Sequence, residues 1–414
     1  MKNSKRWIYL FTGTLLLLFL GLIYAWSIFS GPFSKIYTDW TVSQISMTFT
    51  ISMICFCLGG YFGGLSAKKL NAKARILIAA GLLFVGFFGV SMMNPENSAS
   101  SLKIVYLCYG ILGGSGVGFG YNALITTLTQ WFPDKVGLAS GIMMMGFGLG
   151  GLALGSVVNV MLASSGVFST FRILAIVIAV VMIVGAFVIK APNADDKKTF
   201  VSEEGSDNGK TEKVVDFSPM EMIKTSRFWI FEIWAVLINA AGLLVINSAA
   251  NIAVAFGGPI VLGMIVSLFN GAGRIIAGNN FDKFGRKMST AVNVIFMFVA
   301  GILLAIGAAV DALVPVVIGL IFVGLAYGGT PTISSAYINK AFGAKNFSTN
   351  FSIANFSLLP AAIIGPMISA KLLEKAGGSY TTSFYAIIVF CIIAFICWFG
   401  LNVASKKSIN EGGK

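Results

Sequence analysis

The chain has 414 residues, of which 57% are hydrophobic and 11% charged, whereas a soluble domain is roughly 45–50% apolar and about 25% charged. A water-soluble globular protein is therefore excluded. The chain contains no histidine, which also excludes Ser-His-Asp triads, Cys-His nucleophiles and imidazole metal sites.

The apolar residues form long stretches, as expected for membrane-spanning helices, each of which needs about 20 mostly apolar residues. Twelve stretches qualify, at about 7–30, 43–66, 75–93, 103–130, 137–163, 169–190, 228–250, 257–279, 288–310, 313–338, 347–370 and 380–404. The first follows Lys2, Lys5 and Arg6, as a signal peptide would, but its apolar run is longer than a signal core and no small-residue cleavage site is evident. We therefore expect a retained first helix.

The net charge of +13 could indicate a nucleic-acid partner, so its distribution has to be considered. Lysine and arginine concentrate in alternate connections between the predicted spans, for example in 68–75 and 283–287. Because cytoplasmic loops carry this excess, both termini are predicted to be cytoplasmic in a plasma-membrane protein. The net charge is then explained by the orientation of the spans in a lipid bilayer. No nucleic-acid partner is expected.

One long polar segment separates six spans from six. Its lysines, acidic residues and scarcity of aromatics are typical of a solvated linker. The predicted domains are an N-terminal six-helix bundle at 1–190, a cytoplasmic linker at 191–227 and a C-terminal six-helix bundle at 228–414. Two such halves are the arrangement of parallel-repeat transporters. The predicted fold class is an all-α membrane protein with twelve transmembrane helices in two bundles related by a pseudo-twofold axis.

Glycine and cysteine are both predicted to serve helix packing. The glycine clusters of spans four and five allow helices to approach closely, and no Gly-Lys-Ser/Thr follows them to form a phosphate-binding loop. The five cysteines lie in or beside apolar stretches without the paired spacing of a zinc site. No metal and no cofactor are expected.

Residues 278–287 read Gly-Asn-Asn-Phe-Asp-Lys-Phe-Gly-Arg-Lys. At every defined position they match the G-x-x-x-D-[RK]-x-G-[RK]-[RK] loop of the major facilitator superfamily, which the chain therefore resembles. Gly278 allows close helix approach, and Asp282 can accept hydrogen bonds at a neighbouring helix amino terminus. Gly285 completes the turn, and Arg286 helps to anchor it at the membrane face. Two roles stay open for Asp282, a structural one and a gating one.

The equivalent loop of the first half, 64–73, keeps the first glycine and the cations. It has Lys68 and Asn71 where the pattern has an acid and a glycine. The acid that would support an inner gate is therefore missing from this loop.

Four further strings narrow the resemblance. They are Lys-Arg-Trp at 5–7, Gly-Leu-Ile-Tyr-Ala-Trp-Ser at 21–27, Trp-Phe-Pro-Asp-Lys-Val-Gly-Leu-Ala-Ser-Gly at 131–141, which includes Asp134, and Asn-Gly-Ala-Gly-Arg at 270–274. Together they resemble the oxalate/formate antiporter family of that superfamily, which is related to the monocarboxylate transporters. The resemblance covers nearly the whole chain and implies a small organic anion as substrate.

Two ionisable residues, Arg274 and Glu232, fall well within predicted spans, where a charge is costly unless it faces a cavity or a partner. Arg274 offers paired N–H donors to a carboxylate. The alternative is a structural ion pair with Glu232. Glu232 lies near the inner end of span seven, where an acid that lines the mouth or extends to the interface is favoured over a proton-relay residue.

Asn270 lies one helical turn before Arg274 and can donate to the same anion. The resemblance places an acid of mammalian-type monocarboxylate transporters at this position, where it takes part in proton coupling. Asparagine cannot titrate, so proton symport would need another group, with Glu232 the first candidate. Four aromatic residues are expected to line the site, unless they serve packing alone: Tyr24, Trp26, Tyr121 and Tyr327.

The number of cations favours a small substrate. The resemblance implies a second cation in span eleven of oxalate-exchanging members, whereas residues 350–356 are uncharged here. We therefore predict a monomeric secondary transporter of monocarboxylates such as lactate, pyruvate, formate or acetate, with a proton or a counter-anion as partner. An oxalate/formate-type exchanger is the alternative, and a membrane sensor with a transporter fold is the candidate from another class. An enzyme is not expected, because Glu232 alone cannot supply paired acids.

Overall fold

The computed structural model describes residues 2–193, 196, 216–246 and 248–411. Ten helices in these ranges are long and apolar enough to cross a membrane. Two of the ten are of double length, and each contains a glycine with non-helical dihedral angles, Gly166 in one and Gly285 in the other. Division at these glycines gives twelve spans in the described part of the chain, which confirms the predicted fold class.

The chain divides into two compact units. One comprises Met1–Asp134 with Gly146–Thr211, and the other comprises Lys135–Met145 with Glu212–Lys414. The predicted linker falls largely outside the described residues, which omit 194–195 and 197–215. Its boundaries therefore remain predictions.

The first unit contains helices joined by short turns. They are α1 (Lys2–Leu20), α2 (Trp26–Ile36), α3 (Val42–Ser66), α4 (Ala72–Ser91), α5 (Ser98–Val105), α6 (Gly114–Leu128) and most of α7 (Val136–Val188). A 3₁₀ turn, Gly21–Ala25, joins α1 to α2, and a π-helical stretch, Tyr106–Gly113, joins α5 to α6. The first residues of α7 belong to the second unit.

The second unit continues with eight helices among the described residues. They are α8 (Pro219–Ile223), α9 (Ser226–Ile246), α10 (Ala249–Ala255), α11 (Ile265–Ala309), α12 (Leu313–Phe342), α13 (Phe347–Ala354), α14 (Leu358–Lys375) and α15 (Thr381–Glu411). A capping box begins α8, since the Ser218 hydroxyl accepts from the Glu221 N–H and the Glu221 carboxylate accepts from the Ser218 N–H at 2.7 Å. These hydrogen bonds lower the pKa of Glu221.

Close packing in the first unit depends on the glycines of span four, as predicted. A Cβ atom built at Gly114 would overlap the backbone of Ser52, and one at Gly118 would overlap the backbone of Phe56. Helices α3 and α6 therefore approach backbone to backbone, which requires small residues at the contact.

The two halves of the chain form the turns of their corresponding loops differently. Gly285 has φ of 71° and ψ of −177°, a backbone conformation that is essentially confined to glycine. At the corresponding position Asn71 has φ of −73°, and its side chain caps α4 by accepting from the Ala74 N–H at 2.9 Å. The first-half loop, which lacks this glycine, therefore begins α4 with an Asn71 helix cap instead of a residue at positive φ.

Candidate functional site

Arg274 lies deep within the first part of α11. At about 1.5 Å per residue, ~16 Å of helix separates it from the break at Gly285. Its side chain is only 4% exposed. The guanidinium is therefore removed from bulk water, as the sequence predicts for a residue in the interior of a span.

Two hydrogen bonds to neutral acceptors orient the guanidinium. Its Nε donates to Oδ1 of Asn270 at 3.2 Å, and its Nη1 donates to the backbone carbonyl of Met144. A guanidinium carries five N–H donors. The two bonds fix its position and leave donors for a ligand.

The charge of Arg274 is not neutralised by the protein in the described part of the chain, where no carboxylate lies within ion-pair distance of it. The alternative of an ion pair with Glu232 is therefore wrong for this structure. No group of three or more His, Cys, Asp or Glu residues that could hold a metal ion occurs in the described ranges. A buried cation with neutral hydrogen-bond partners favours binding of an anion.

Asn270 and Tyr327 lie beside Arg274, so the second unit brings three of the predicted site residues together. Since Oδ1 of Asn270 accepts from Arg274, its amide NH₂ group is left to donate. Tyr327, on α12, lies close enough for the Arg274 charge to act on its hydroxyl. The Tyr327 ring packs over Gly242 of α9, where a Cβ atom would come within 2.6 Å of it.

Tyr121 lies in the first unit, in a buried group of three rings. Its ring centroid is 5.4 Å from that of Phe56 and 4.8 Å from that of Phe147. The side chain of Tyr24 lies outside the described part of the chain. The roles predicted for both tyrosines at the substrate site remain predictions.

Trp26 packs within the aromatic core of the first unit. Its indole N–H donates to the backbone carbonyl of Ile45 at 3.0 Å, and its ring centroid is 4.6 Å from that of Tyr109. The single donor of the indole is therefore already used. The role of Trp26 at the substrate site also remains a prediction.

Asp282 binds the amino-terminal end of α7 within the second unit. The N–H groups of Gly137 and Leu138 donate to its two carboxylate oxygens at 2.8 and 2.7 Å. These groups have no acceptor within their own helix, and the positive end of the helix dipole favours an anion. A Cβ atom at Gly278 would overlap the carbonyl of Gly137, so both motif residues act at this one contact. A gating role remains a prediction.

Replacement of Asp282 with asparagine is expected to lower the free energy of unfolding by about 1 kcal/mol, because one hydrogen bond and the charge at the helix end are lost. Thermal unfolding in detergent measures the change. The exposed neighbour Lys283, changed to glutamine, is the control. Equal melting temperatures for D282N and the unmodified protein would contradict this account of the contact.

The comparison with protein families decides the classification. The family model described as Major Facilitator Superfamily matches residues 15–366 and 261–414. The chain belongs to the major facilitator superfamily. It is a multi-pass membrane transporter and not an enzyme.

Relatives within the superfamily cover most of the chain. The chain is 27% identical to the oxalate:formate antiporter of Oxalobacter formigenes, over 95% of this chain and 90% of that protein. It is 25% identical to monocarboxylate transporter 10 of Homo sapiens, over 89% of this chain and 70% of that protein. These matches agree with the family resemblance of the motifs.

Solved superfamily structures share the fold. The proton:xylose symporter XylE has a TM-score of 0.74 at 15% identity, over 96% of this chain and 95% of that chain. The E. coli fucose:proton symporter FucP has a TM-score of 0.69 at 14% identity, over 96% of this chain and 99% of that chain. At such low identity the likeness concerns the fold alone.

The superfamily transporter also contains an ion pair that we did not predict. Nη1 of Arg6 lies 2.9 Å from Oδ1 of Asp134, and the two side chains are 4% and 15% exposed. The Trp7 and Phe132 rings meet edge to face at 5.3 Å beside them. Two of the sequence strings that carry the family resemblance, at 5–7 and 131–135, are therefore in contact with each other. The sequence signal that could have identified this ion pair is that Arg6 and Asp134 have opposite charges and that each lies close to an aromatic residue in its string.

Two other charged residues differ from expectation. Glu232 is only 7% exposed, so the favoured interpretation as a mouth-lining or interface-reaching acid is wrong. Arg75, which ends the cation-rich connection at 68–75, is buried, and its Nη2 donates to Oδ1 of Asn122. The burial of both residues depends on neighbouring helices and not on their own spans.

Proposed function

We propose that the chain is a secondary active transporter of small organic anions, above all monocarboxylates such as lactate, pyruvate, formate and acetate. The observation that carries this proposal is the buried, uncompensated charge of Arg274. In the proposed cycle the site binds its anion from one side of the membrane at a time, by alternating access.

Three neighbouring side chains support carboxylate recognition. Arg274 would donate paired, charge-assisted hydrogen bonds, which are about twice as strong as neutral ones. The amide of Asn270 and the hydroxyl of Tyr327 would donate to the remaining lone pairs. The half-buried ring of Tyr327 would help to exclude water from the bound anion.

The charge balance favours one carboxylate per substrate. Arg274 supplies one positive charge to the proposed site, and α13 carries no charged residue that could supply a second. A dicarboxylate would leave one negative charge unpaired in a buried environment, which is costly.

Anion exchange of the oxalate/formate type is the second candidate. It is supported by the 27% identity to an oxalate:formate antiporter. Exchange and proton symport can use the same carboxylate site and differ in what drives transport.

We also propose that the contact between Asp282 and the start of α7 breaks and re-forms during the cycle. A carboxylate that holds two backbone N–H groups can be released without breaking a covalent bond, at a cost of about 1–3 kcal/mol. A free energy of this size stabilises the contact in one conformation and still allows it to break in another. The lysine and arginine distribution supports cytoplasmic termini, with which this contact would lie at the inner face of the membrane.

Reconstituted liposomes test the proposed function. Vesicles containing the purified protein would be loaded with or without unlabelled carboxylate, and uptake of labelled lactate, formate and oxalate would be followed with and without an inward proton gradient. Saturable uptake of a monocarboxylate is the expected result. A preference for oxalate would contradict the charge-balance argument. Carboxylate binding without any uptake would contradict transport and support the sensor alternative.

A further inference from the structure

Glu232 is a buried acid that no basic residue neutralises. Its Oε1 has no hydrogen-bond partner, and no cation lies within ion-pair distance of it among the described residues. The hydroxyl of Ser357 lies close to its carboxyl group. That hydroxyl in turn donates to the backbone carbonyl of Ala354 at 2.8 Å.

The burial of Glu232, with its Oε1 unpartnered, favours a protonated acid, and the nearby Ser357 hydroxyl is compatible with one. A serine hydroxyl has one proton, and the Ser357 proton is used on Ala354, so its oxygen is left to accept. A carboxylic acid can donate to this oxygen, whereas a carboxylate cannot. The neutral form of Glu232 is therefore compatible with Ser357, and it avoids the large cost of an unpaired buried charge.

The charged groups around Glu232 are engaged elsewhere or lie at a distance. Arg227, at the start of α9, stacks on the Phe217 and Phe342 rings at 4.8 and 4.6 Å. Tyr337, on α12, is near enough for Glu232 and Arg286 to act on its hydroxyl, which is buried without a hydrogen-bond partner.

The remaining helices packed on α9 carry their charges further away. On α14 the charged residues begin at Lys371, ~20 Å along the chain direction from Ser357. On α15 Gly400 lies level with Ile230, and Lys406 and Lys407 follow ~9 Å beyond it, with side chains outside the described part. On α8 Glu221 caps its own helix, and Lys224 follows that helix, before α9 begins.

One face of α9 leads from Glu232 to the anion site. Asn239 lies on this face two turns further along, buried, and its Oδ1 has no hydrogen-bond partner. Gly242 follows, where the Tyr327 ring packs, and the charge of Arg274 acts on the Tyr327 hydroxyl. The rise of the helix puts Gly242 ~15 Å from Glu232.

We propose that Glu232 carries a co-transported proton, which it binds more tightly while a carboxylate occupies Arg274 and more weakly when the site is empty. This inference rests on the proposed function, because it concerns what drives the same anion site. The proton and a monocarboxylate together carry no net charge. In the unloaded transporter Arg274 and an ionised Glu232, which do not form an ion pair, likewise sum to no net charge.

The strength of this coupling follows from the distance. The rise from Glu232 to Gly242, ~15 Å, sets the length scale, and two unit charges this far apart, at an effective dielectric constant of about 20, change each other's binding constants about sixfold. An ionised Glu232 competes electrostatically with the anion for Arg274. Anion affinity is therefore about sixfold higher when Glu232 is protonated, and it rises as the pH falls.

Glu232→Gln is the variant that tests this, because glutamine copies the shape and neutrality of the protonated acid. Liposomes would report exchange of labelled lactate, formate or oxalate against the same internal anion, and accumulation driven by an inward proton gradient without internal anion. We expect E232Q to exchange at a rate close to that of the unmodified protein but to lose gradient-driven accumulation and the pH dependence of KM. The exposed acid Glu374, changed to glutamine, is the matched control and should behave as the unmodified protein.

Each alternative outcome would overturn a specific part of the proposal. Accumulation by E232Q equal to that of the unmodified protein would overturn the assignment of Glu232. Exchange without any response to the proton gradient in the unmodified protein would overturn proton coupling and leave the proposed function intact. No exchange of any of the three anions by the unmodified protein would overturn the proposed function, and this inference with it.

A second measurement does not require the variant to fold. The purified unmodified protein in weakly buffered detergent solution should take up protons when lactate, formate or oxalate is added. The same addition of chloride should give no uptake. Anion binding without proton uptake at any pH would overturn the proposal.

Discussion

Replacement of Arg274 with lysine is expected to reduce carboxylate transport about a hundredfold. Lysine keeps the charge but loses the planar pair of donors. It also loses the Nε–H bond to Asn270 that orients the guanidinium. A hydrogen bond to a charged group contributes about 1.5–3 kcal/mol, and each 1.4 kcal/mol corresponds to about a factor of ten. The measurement is the initial rate of uptake as a function of anion concentration.

Arg172 provides the matched control, because it is an arginine at an exposed position of α7. Arg172→Lys should leave uptake kinetics unchanged. An R274K variant with unchanged kinetics would exclude Arg274 from anion binding. Asn270→Ala should have a smaller effect, about tenfold, since it removes one neutral donor and one orienting acceptor.

Replacement of Arg6 with methionine is expected to lower the free energy of unfolding by about 2 kcal/mol. Removal of one partner from a buried ion pair costs about 3–5 kcal/mol, and an exposed pair contributes about 1 kcal/mol or less. The pair with Asp134 lies between these cases, because the carboxylate is 15% exposed and the guanidinium 4%. The loss of the stacking contact of Arg6 on the Phe132 ring adds to the effect.

A double-mutant cycle separates the pair from its surroundings. Arg6→Met, Asp134→Asn and the double variant would be compared by unfolding in detergent. We expect the double variant to lose less stability than the two single losses combined, because each single variant leaves a partner behind. Strictly additive losses would show that Arg6 and Asp134 stabilise the protein independently. Arg6→Lys should retain part of the stability.

The spans and the loop motif could be predicted because they depend on local properties. Span length follows from bilayer thickness and a run of apolar residues. The break at Gly285 follows from a backbone conformation that favours one residue type. Asp282 could be placed at a helix amino terminus from its motif, although the sequence alone did not identify Gly137 and Leu138 as the donors.

The burial of charged residues could not be predicted in the same way. Arg75 lies at the start of its span, and its burial depends on Asn122 of another helix. Glu232 occupies a position from which an acid could reach the interface, yet α12 and the turn at Ser357 enclose it. Likewise, the partner of Arg6 is far away in the chain. In each case the outcome is set by which helices are neighbours.

The turns at Gly285 and Asn71 differ, so swapping these two residues between the halves of the chain has unequal costs in stability. Glycine in place of Asn71 would lose a helix cap that glycine partly replaces, at a cost of a few tenths of a kcal/mol. Asparagine in place of Gly285 would have to adopt a conformation that costs about 1–3 kcal/mol. The first-half turn therefore tolerates glycine, whereas the second-half turn does not readily accept asparagine. A chimaera that transplants the first-half turn into the second half would therefore need the whole loop, and not the single residue.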